Sequence, residues 1–462
     1  MATASTVPTE LGTEPIGKLL KQYALPAIIA QIASSLYNMV DSIFIGHGVG
    51  ADAISGLAAT FPLMNLSTAF GTLVGAGAAT MLSVLLGRKN YKAAGKVLGN
   101  VVTLNIIIGL LFMVTVLLFI DPILLTFGAD TATLTYAREY MQIIMYGNII
   151  THLYFGLNAA MRSSGSPKKA MGLTIFTVLF NTALDPIFIF TLDMGIAGAA
   201  WATVISQTAA LTVVLRHFND RNKPFHFEKG IVRLDWRIAK DSLMIGMGPF
   251  LMHSAACLVT MFINRQLLTH SGTDGVGAYG ICNRFIFLFM MICLGLNQGM
   301  QPIAGYNYGA KKYSRVKEVF RKTALLAMMI TTLCFIMGVF FPRAAASIFT
   351  HEENLLNISS EGLRIMTLIF PLVGLQMIGT NFFQSLGMVK KSIFLSLSRQ
   401  ILFLLPLLYV LPQSMGAKGV WISFPISDMI ATILTVILLI KTFKKFNRLQ
   451  DGEDAAILDS QI

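Results

Sequence analysis

The stretch LYNMVDSIFI, residues 36–45, places a single acid, Asp41, inside an apolar run. A second run, FNTALDPIF at residues 180–188, does the same with Asp185. Both runs belong to apolar segments long enough to cross a bilayer, whose hydrocarbon core of about 30 Å needs about 20 helical residues. An ionised carboxylate is costly there unless it has a partner, so each acid is a candidate functional residue.

The composition extends this interpretation to the whole chain. Of its 462 residues, 55% are hydrophobic and only 13% are charged, and the mean hydropathy is +0.67. A soluble protein carries about 25% charged residues. The net charge of +12 would suit nucleic acid, but the basic residues fall in short loops between apolar segments, where they signal orientation in a membrane. We therefore predict an integral membrane protein, embedded in a lipid bilayer and without a nucleic-acid partner.

Apolar segments of spanning length recur along the chain, and we predict an all-α fold of twelve transmembrane helices. They lie near residues 19–47, 52–85, 97–120, 134–160, 168–191, 195–216, 239–269, 274–306, 323–342, 359–386, 391–412 and 417–440. The basic residues cluster in alternate loops, for example at 88–96, 162–169 and 311–322. This asymmetry predicts that both termini are cytoplasmic.

The two halves of the sequence match each other at a shift of 221 to 223 residues. Pro26 falls on Pro249, and the loop GRKNY at 87–91 falls on GAKKY at 309–313. Each match is weak alone, but their order is consistent, and six spans per half predict parallel repeats around a central cavity. We predict two pseudo-symmetric six-helix bundles, with boundaries at 1–216 (N-lobe), 217–238 (cytoplasmic linker), 239–442 (C-lobe) and 443–462 (cytoplasmic tail).

Counting along the helices brings the two acids to one depth. Asp41 and Asp185 each lie about six residues, roughly 9 Å, below the outer end of their segments. Asn181 lies one turn from Asp185 on the same helix face, and Thr203 lies in the next segment at a similar depth in the membrane. Oxygen groups of this kind can hold Na⁺ or share a proton, so we predict an ion site here, which binds metal only if the ion is Na⁺. The alternative is structural: Asp185 caps the break before Pro186, and Asp41 bonds a neighbouring helix.

Other polar residues inside the apolar segments are candidates for lining a cavity. Arg284 and Asp428 lie at similar depth in the second half, and we predict an ion pair, either structural or part of transport. Arg364 and Arg399 are interpreted as inward-facing or snorkelling charges. The candidates for the cavity lining are Tyr37, Asn38, Arg284, Gln298, Gln301 and Asp428. The cysteines and histidines show no metal-ligand spacing, so no cofactor is expected.

These features together resemble the multidrug and toxic compound extrusion (MATE) family. The resemblance rests on twelve spans in two repeats, Leu25-Pro26, the two matched basic loops at 87–91 and 309–313, and NTALDP at 181–186, and it covers residues 15–445. It implies an antiporter that expels organic cations and other amphiphiles in exchange for H⁺ or Na⁺. In some members the ion site uses residues matching Asp41, Asn181, Asp185 and Thr203.

The resemblance also favours one branch of the family. Another branch places an acid in the seventh span, but MHSAACL at 252–258 contains none, and the repeat sets Asn264 opposite Asp41 and Leu407 opposite Asp185. The pattern therefore favours the branch whose ion site lies in the amino-terminal lobe. We expect a monomer in the inner (plasma) membrane that works by alternating access.

Two other functions stay open at this point. A flippase for a lipid-linked precursor has a similar scaffold but would need cationic residues to hold phosphates. An integral membrane enzyme acting on lipid is the alternative from a different class, although the sequence has no HExxH or GxSxG motif.

Overall fold

The structure, a computed structural model, describes residues 9–49, 51–221, 226–227 and 234–452. All regular secondary structure in these residues is helical. The first half contains α1 (Glu10–Thr13), α2 (Ile16–Gly48), α3 (Ala51–Gly87), α4 (Tyr91–Leu118), α5 (Ile120–Thr126), α6 (Leu134–Tyr146), α7 (Asn148–Ser163), α8 (Pro167–Pro186) and α9 (Gly195–Asn219). The second contains α10 (Trp236–Gly309), α11 (Tyr313–Phe340), α12 (Pro342–Ser347), α13 (Glu353–Met366), α14 (Phe370–Ser385), α15 (Val389–Leu397), α16 (Leu405–Met415) and α17 (Ala417–Phe446).

Many of these helices are long and apolar enough to cross a membrane. Within the described ranges eight meet this description, or nine when α13 and α14, which meet at 59°, count as one bent span. The longest, α10, has 74 residues, but Gly272 interrupts it with φ of 66° and ψ of −160°. A π-helical segment, Ile187–Thr191, follows α8, and another, Ser398–Leu404, joins α15 to α16. The predicted all-α membrane class is confirmed.

The backbone repeats itself at the turns that separate the helices. Lys89 and Lys311 have φ of 58° and 57°, Gly165 and Gly387 of 96° and 74°, and Gly195 and Gly416 of 54° and 59°. Each pair is related by the shift of 221 or 222 residues found in the sequence. Positive φ is strained for a residue with a side chain, so its recurrence at Lys89 and Lys311 marks the same loop built twice.

The chain forms two compact units, and neither is a continuous piece of sequence. In the described part of the chain, the first contains residues 9–13 and Ile29–Phe250, and the second contains Glu14–Ile28 and residues 251–452. The beginning of α2 therefore belongs to the second unit, and residues 236–250 of α10 belong to the first. Each half of the sequence contributes one helical segment to the unit that the other half mainly builds.

Glycines make room for these contributed segments. A Cβ on Gly77 would lie 1.9 Å from the carbonyl oxygen of Ser242, and one on Gly246 would lie 1.7 Å from that of Leu73. In the second unit, a Cβ on Gly299, the repeat partner of Gly77, would lie 2.4 Å from Cα of Ala24. Small residues allow backbones to approach closely in membrane helices, where packing drives association.

A methyl group at this crossing should loosen the first unit. We expect Gly246→Ala to destabilise the protein by about 1–3 kcal/mol, the usual cost of overpacking. The melting temperature in detergent, followed by the loss of helical circular dichroism, measures the effect. Gly172→Ala is the control because a Cβ there meets nothing within 4 Å; it should leave melting unchanged or raise it slightly. Equal melting of both variants would contradict the crossing.

Candidate ion-binding site

The end of α8 carries the core of the site. Asp185 is fully buried and precedes Pro186, after which the helix widens into the π-helical segment. Proline lacks the N–H that would continue the helical ladder, and π-helical turns often occur at functional sites. The irregular backbone therefore begins within two residues of Asp185.

An amide links Asp185 to the next helix. In the orientation that gives both ends of the Asn181 amide complementary partners, Nδ2 donates to Asp185 Oδ2 at 3.0 Å. Asn181 Oδ1 accepts from the backbone N–H of Thr203 at 3.0 Å, and Thr203 Oγ1 lies 3.3 Å away. The structure thus brings Asn181, Asp185 and Thr203 together, as the depth count places them.

Asp41 supplies the second carboxylate, from α2. It is 5% exposed, and it lies within electrostatic range of Asp185. Oδ1 of each acid is buried without a hydrogen-bond partner among the described residues, and neither acid has a salt bridge to a described basic side chain. Two buried carboxylates without a cation are expensive when ionised, so a proton or a metal ion is needed to neutralise them.

The donor set limits what can bind. In the described part of the chain no group of three or more Asp, Glu, His or Cys side chains could hold a metal. A Na⁺ ion here would have the two carboxylates and the hydroxyl of Thr203 as hard ligands, whereas Asn181 turns its amide nitrogen to Asp185 and its oxygen to Thr203. A proton needs only one carboxylate oxygen.

A cavity of about 210 Å³, with a wall that is mostly apolar by area, adjoins the site within the first unit. Asn181 and Thr203 form part of its wall, and Thr151 hydrogen-bonds Gln207 on another side. The remaining polar lining includes Ser34, Ser67, Asn148, Thr174, Thr177 and Ser206. The ion site therefore borders a space in which hydroxyl and amide groups lie among apolar side chains such as Met64, Ile144 and Phe155.

One buried network beside this cavity was not predicted from the sequence. Ser67 Oγ donates to Asn148 Oδ1 at 2.8 Å and lies 3.1 Å from Nε2 of the fully buried His152. Asn148 Nδ2 donates in turn to the carbonyl of Gly109 at 3.0 Å. The spacing of four residues between Asn148 and His152, which puts both on one helix face, is the signal that could have revealed it.

The predicted ion pair of Arg284 with Asp428 is wrong. Asp428 Oδ1 accepts from Arg399 Nε at 2.6 Å, and Arg284 is exposed. Ser427 Oγ also donates to the carbonyl of Arg399, at 2.7 Å. Counting residues along a helix gives the depth of a side chain in the membrane but not the direction in which it points from the helix axis. In addition, Arg399 lies in the π-helical segment Ser398–Leu404, where the α-helical repeat of 3.6 residues per turn does not hold. The buried acid Asp428 of the second unit is thus neutralised by Arg399, unlike the buried acids Asp41 and Asp185 of the first.

The other candidates for the cavity lining are less defined. Gln301 is buried and Gln298 is half-buried on α10. Arg364 is exposed. Tyr37 and Asn38 fall outside the residues whose side chains the structure describes. A role of Tyr37, Asn38, Gln298 and Gln301 in lining a cavity stays a prediction.

The chain is similar to known proteins over most of its length. The MatE family model matches twice, at residues 26–187 and 249–410, which are 223 residues apart. A Multidrug export protein MepA of Staphylococcus haemolyticus (strain JCSC1435) is 26% identical over 424 residues, covering 92% of this chain and 93% of that protein. MepA of Staphylococcus aureus (strain MSSA476) is 25% identical over 425 residues, covering 92% and 94%.

Solved structures agree in fold. The MATE multidrug transporter DinF-BH is 35% identical, with a TM-score of 0.87 over 93% of this chain and 96% of its own. A MATE crystal structure in a bent conformation, at 23% identity, has a TM-score of 0.90 over 96% and 99%. The family inferred from the sequence is confirmed: the chain belongs to the MATE family of membrane transporters and not to a family of enzymes.

Proposed function

We propose that this protein exports cationic and amphiphilic organic compounds in exchange for H⁺ or Na⁺, which binds at Asp41, Asn181, Asp185 and Thr203. One observation carries the proposal: two buried acids in the first unit lack a basic partner among the described residues. The names of the similar proteins, multidrug export protein and multidrug transporter, support the substrate class.

The exchange follows from the charge of the site. A cationic substrate and the coupling ion both neutralise the two carboxylates, so each weakens the binding of the other. Alternating access then converts this competition into antiport. Pro26 lies two residues before the point at which α2 passes from the second unit to the first, and it removes one helical hydrogen bond there. Pro26 and Pro186 let α2 and α8 bend as the site changes charge.

The proposal includes the finer topology expected from the sequence. It has twelve spans, two six-helix lobes, cytoplasmic termini and a single subunit in the inner membrane. The interruption of α10 at Gly272 supports the assignment of two transmembrane spans to that helix. The bend between α13 and α14 supports the assignment of one span to the pair. The basic loops support the orientation. The absence of an acid from residues 252–258 supports the branch with its ion site in the amino-terminal lobe.

A flippase is less well supported. Holding a lipid phosphate needs cationic side chains at the site, whereas the charged groups here are two acids. The carboxylates suit a cationic substrate instead.

Efflux from proteoliposomes tests the antiport directly. We expect a gradient of H⁺ or Na⁺ directed against the dye to accelerate export of a fluorescent organic cation, because entry of the ion frees the carboxylates of substrate. Protein-free liposomes control for leakage. If neither gradient changes the rate of dye export by correctly inserted protein, antiport is contradicted.

A further inference from the structure

The beginning of α2, which belongs to the second unit, is held by an arginine of α11. Arg315 Nη2 donates to the carbonyl of Glu14 at 2.6 Å, and Arg315 Nε donates to Asn307 Oδ1 at 2.9 Å. Asn307 is fully buried near the end of α10, where its Nδ2 donates to the carbonyl of Ile303 at 2.8 Å. Arg315 therefore connects the beginning of α2 to the adjoining ends of α10 and α11.

The first unit holds its own contributed segment at the corresponding point. Asp235 directly precedes α10, and its backbone N–H and carbonyl each form a 3.0 Å hydrogen bond with the side-chain amide of Asn100 on α4. Lys96 of α4 also forms a salt bridge of 2.9 Å with Asp235 Oδ2. The helices α4 and α11 correspond in the repeat, because Tyr91 and Tyr313 begin them. The same anchor is thus built twice from different side chains.

The turn of α11 that carries Arg315 has no cap from its own loop. In the first unit, Asn90 caps α4 by accepting from the N–H of Ala93 at 3.1 Å. Its repeat partner Lys312 has no acceptor in its side chain and forms no such cap. The first N–H groups of a helix need acceptors from outside the helix ladder. The cap of α11 must therefore come from elsewhere.

The segment that follows α17 supplies this cap. Asp451 Oδ1 accepts from the N–H of Ser314 at 3.1 Å, and Asp451 Oδ2 accepts from the hydroxyl of Ser314. The N–H of Gly452 donates to the carbonyl of Lys311 at 2.9 Å. An ionised carboxylate also interacts favourably with the positive end of the helix dipole. Asp451 thus takes the place at α11 that Asn90 has at α4.

Apolar contact brings this segment to the beginning of α11. Tyr313, the first residue of α11, stacks on Phe446, the last residue of α17, with ring centroids 5.4 Å apart. Both rings are buried. Lys317 Nζ donates to Asn447 Oδ1 at 2.7 Å, one turn further along α11. The chain beyond α17 is therefore fixed against the turn on which Arg315 lies.

We propose that Arg315 is a positioning residue for α2, and that Asp451 holds Arg315 in place by capping α11. This inference rests on the proposed antiport, in which α2 bends near Pro26 as the charge at Asp41 changes. A bend at a hinge displaces one end of a helix in a defined direction only when the other end is fixed. The anchor at Glu14 provides the fixed end.

Hydrogen–deuterium exchange of the full-length protein in detergent tests the anchor. We expect Arg315→Gln to speed exchange in peptides from the first turns of α2 by about fivefold, the equivalent of one hydrogen bond. Arg321→Gln is the control, because Arg321 is exposed on the same helix. Circular dichroism verifies that both variants are folded. Unchanged exchange at the beginning of α2 in Arg315→Gln would overturn the anchor.

Two substitutions of Asp451 test the cap. Asp451→Ala should speed exchange at Ser314 by about fivefold, the usual effect of losing an N-cap, and should also speed exchange at the beginning of α2. Asp451→Asn should exchange like the unaltered protein at both places, because asparagine caps helices as well as aspartate. Unchanged exchange at Ser314 in Asp451→Ala would overturn the cap. Unchanged exchange at the beginning of α2 would overturn its link to the segment after α17.

Export distinguishes positioning from a purely structural role. In proteoliposomes, Arg315→Gln and Asp451→Ala should lower the maximal rate of ion-driven dye export by at least about twofold, and dye Kd should change by less than about twofold. Asp451→Asn should restore the rate. An unaltered maximal rate, or a lower rate explained by weaker dye binding, would overturn positioning. Absence of ion-driven export by the unaltered protein would overturn antiport instead, and the exchange measurements would still decide the anchor.

Discussion

Asp185→Asn should abolish ion-driven export while the protein still inserts and folds. The substitution keeps the size of the side chain but removes one of the two charges that attract the ion. A unit charge at about 4 Å contributes of order 4 kcal/mol at the effective dielectric of a protein, about a thousandfold in affinity. Dye export from proteoliposomes under an ion gradient measures the loss, and Asp41→Asn should behave alike.

The control must make the same chemical change away from the site. Asp193 is exposed, only eight residues from Asp185, and has φ of 51°, a conformation that Asn tolerates. Asp193→Asn should therefore export dye like the unaltered protein. Undiminished ion-driven export by both Asp41→Asn and Asp185→Asn would contradict the assignment of the site.

Breaking the buried ion pair of the second unit, Arg399 with Asp428, should have the largest effect on stability. Asp428→Asn leaves Arg399 without its charge partner, and Arg399→Gln leaves Asp428 buried at 5% side-chain exposure. Loss of one partner from a buried pair costs about 3–5 kcal/mol. We expect about 3 kcal/mol here, because the side chain of Arg399 keeps 23% exposure. Melting temperature in detergent reports the change.

The double variant separates charge from packing. Arg399→Gln with Asp428→Asn should melt above either single variant, because no uncompensated charge remains. The exposed pair of Arg343 with Glu353 is the control, with side chains 59% and 68% exposed; its loss should cost at most about 1 kcal/mol. Additive losses in the double variant of the buried pair would contradict coupling of the two charges.

Several features of this fold are determined by local rules and were predictable. Apolar length identifies membrane helices whatever their neighbours, and the matched loops at 87–91 and 309–313 reveal the repeat because both need a left-handed residue, Lys89 and Lys311. The cluster of Asn181, Asp185 and Thr203 could be predicted because the three residues lie on consecutive helices, α8 and α9, at similar distances from the helix ends that adjoin each other.

Other features depend on tertiary structure. The direction in which the Arg399 side chain points is set by a π-helical segment. Such a turn contains an extra residue, which cannot be predicted by assuming a regular α-helix. The beginning of α2 belongs to the second unit, and the beginning of α10 belongs to the first. This exchange depends on close glycine contacts, such as that of Gly246 with Leu73, between distant parts of the sequence. The cavity arises from the packing of several helices, so its walls could not be identified from periodicity.

Competition between ion and substrate tests the central claim most directly. With purified protein, dye Kd is measured by fluorescence polarisation while H⁺ is varied at fixed Na⁺ and then Na⁺ at fixed pH. The account predicts that Kd rises as the coupling ion increases, because the ion occupies the carboxylates that attract the dye, and that Asp41→Asn with Asp185→Asn removes this dependence. A Kd independent of both ions in the unaltered protein, or an equal dependence in the double variant, would contradict the account.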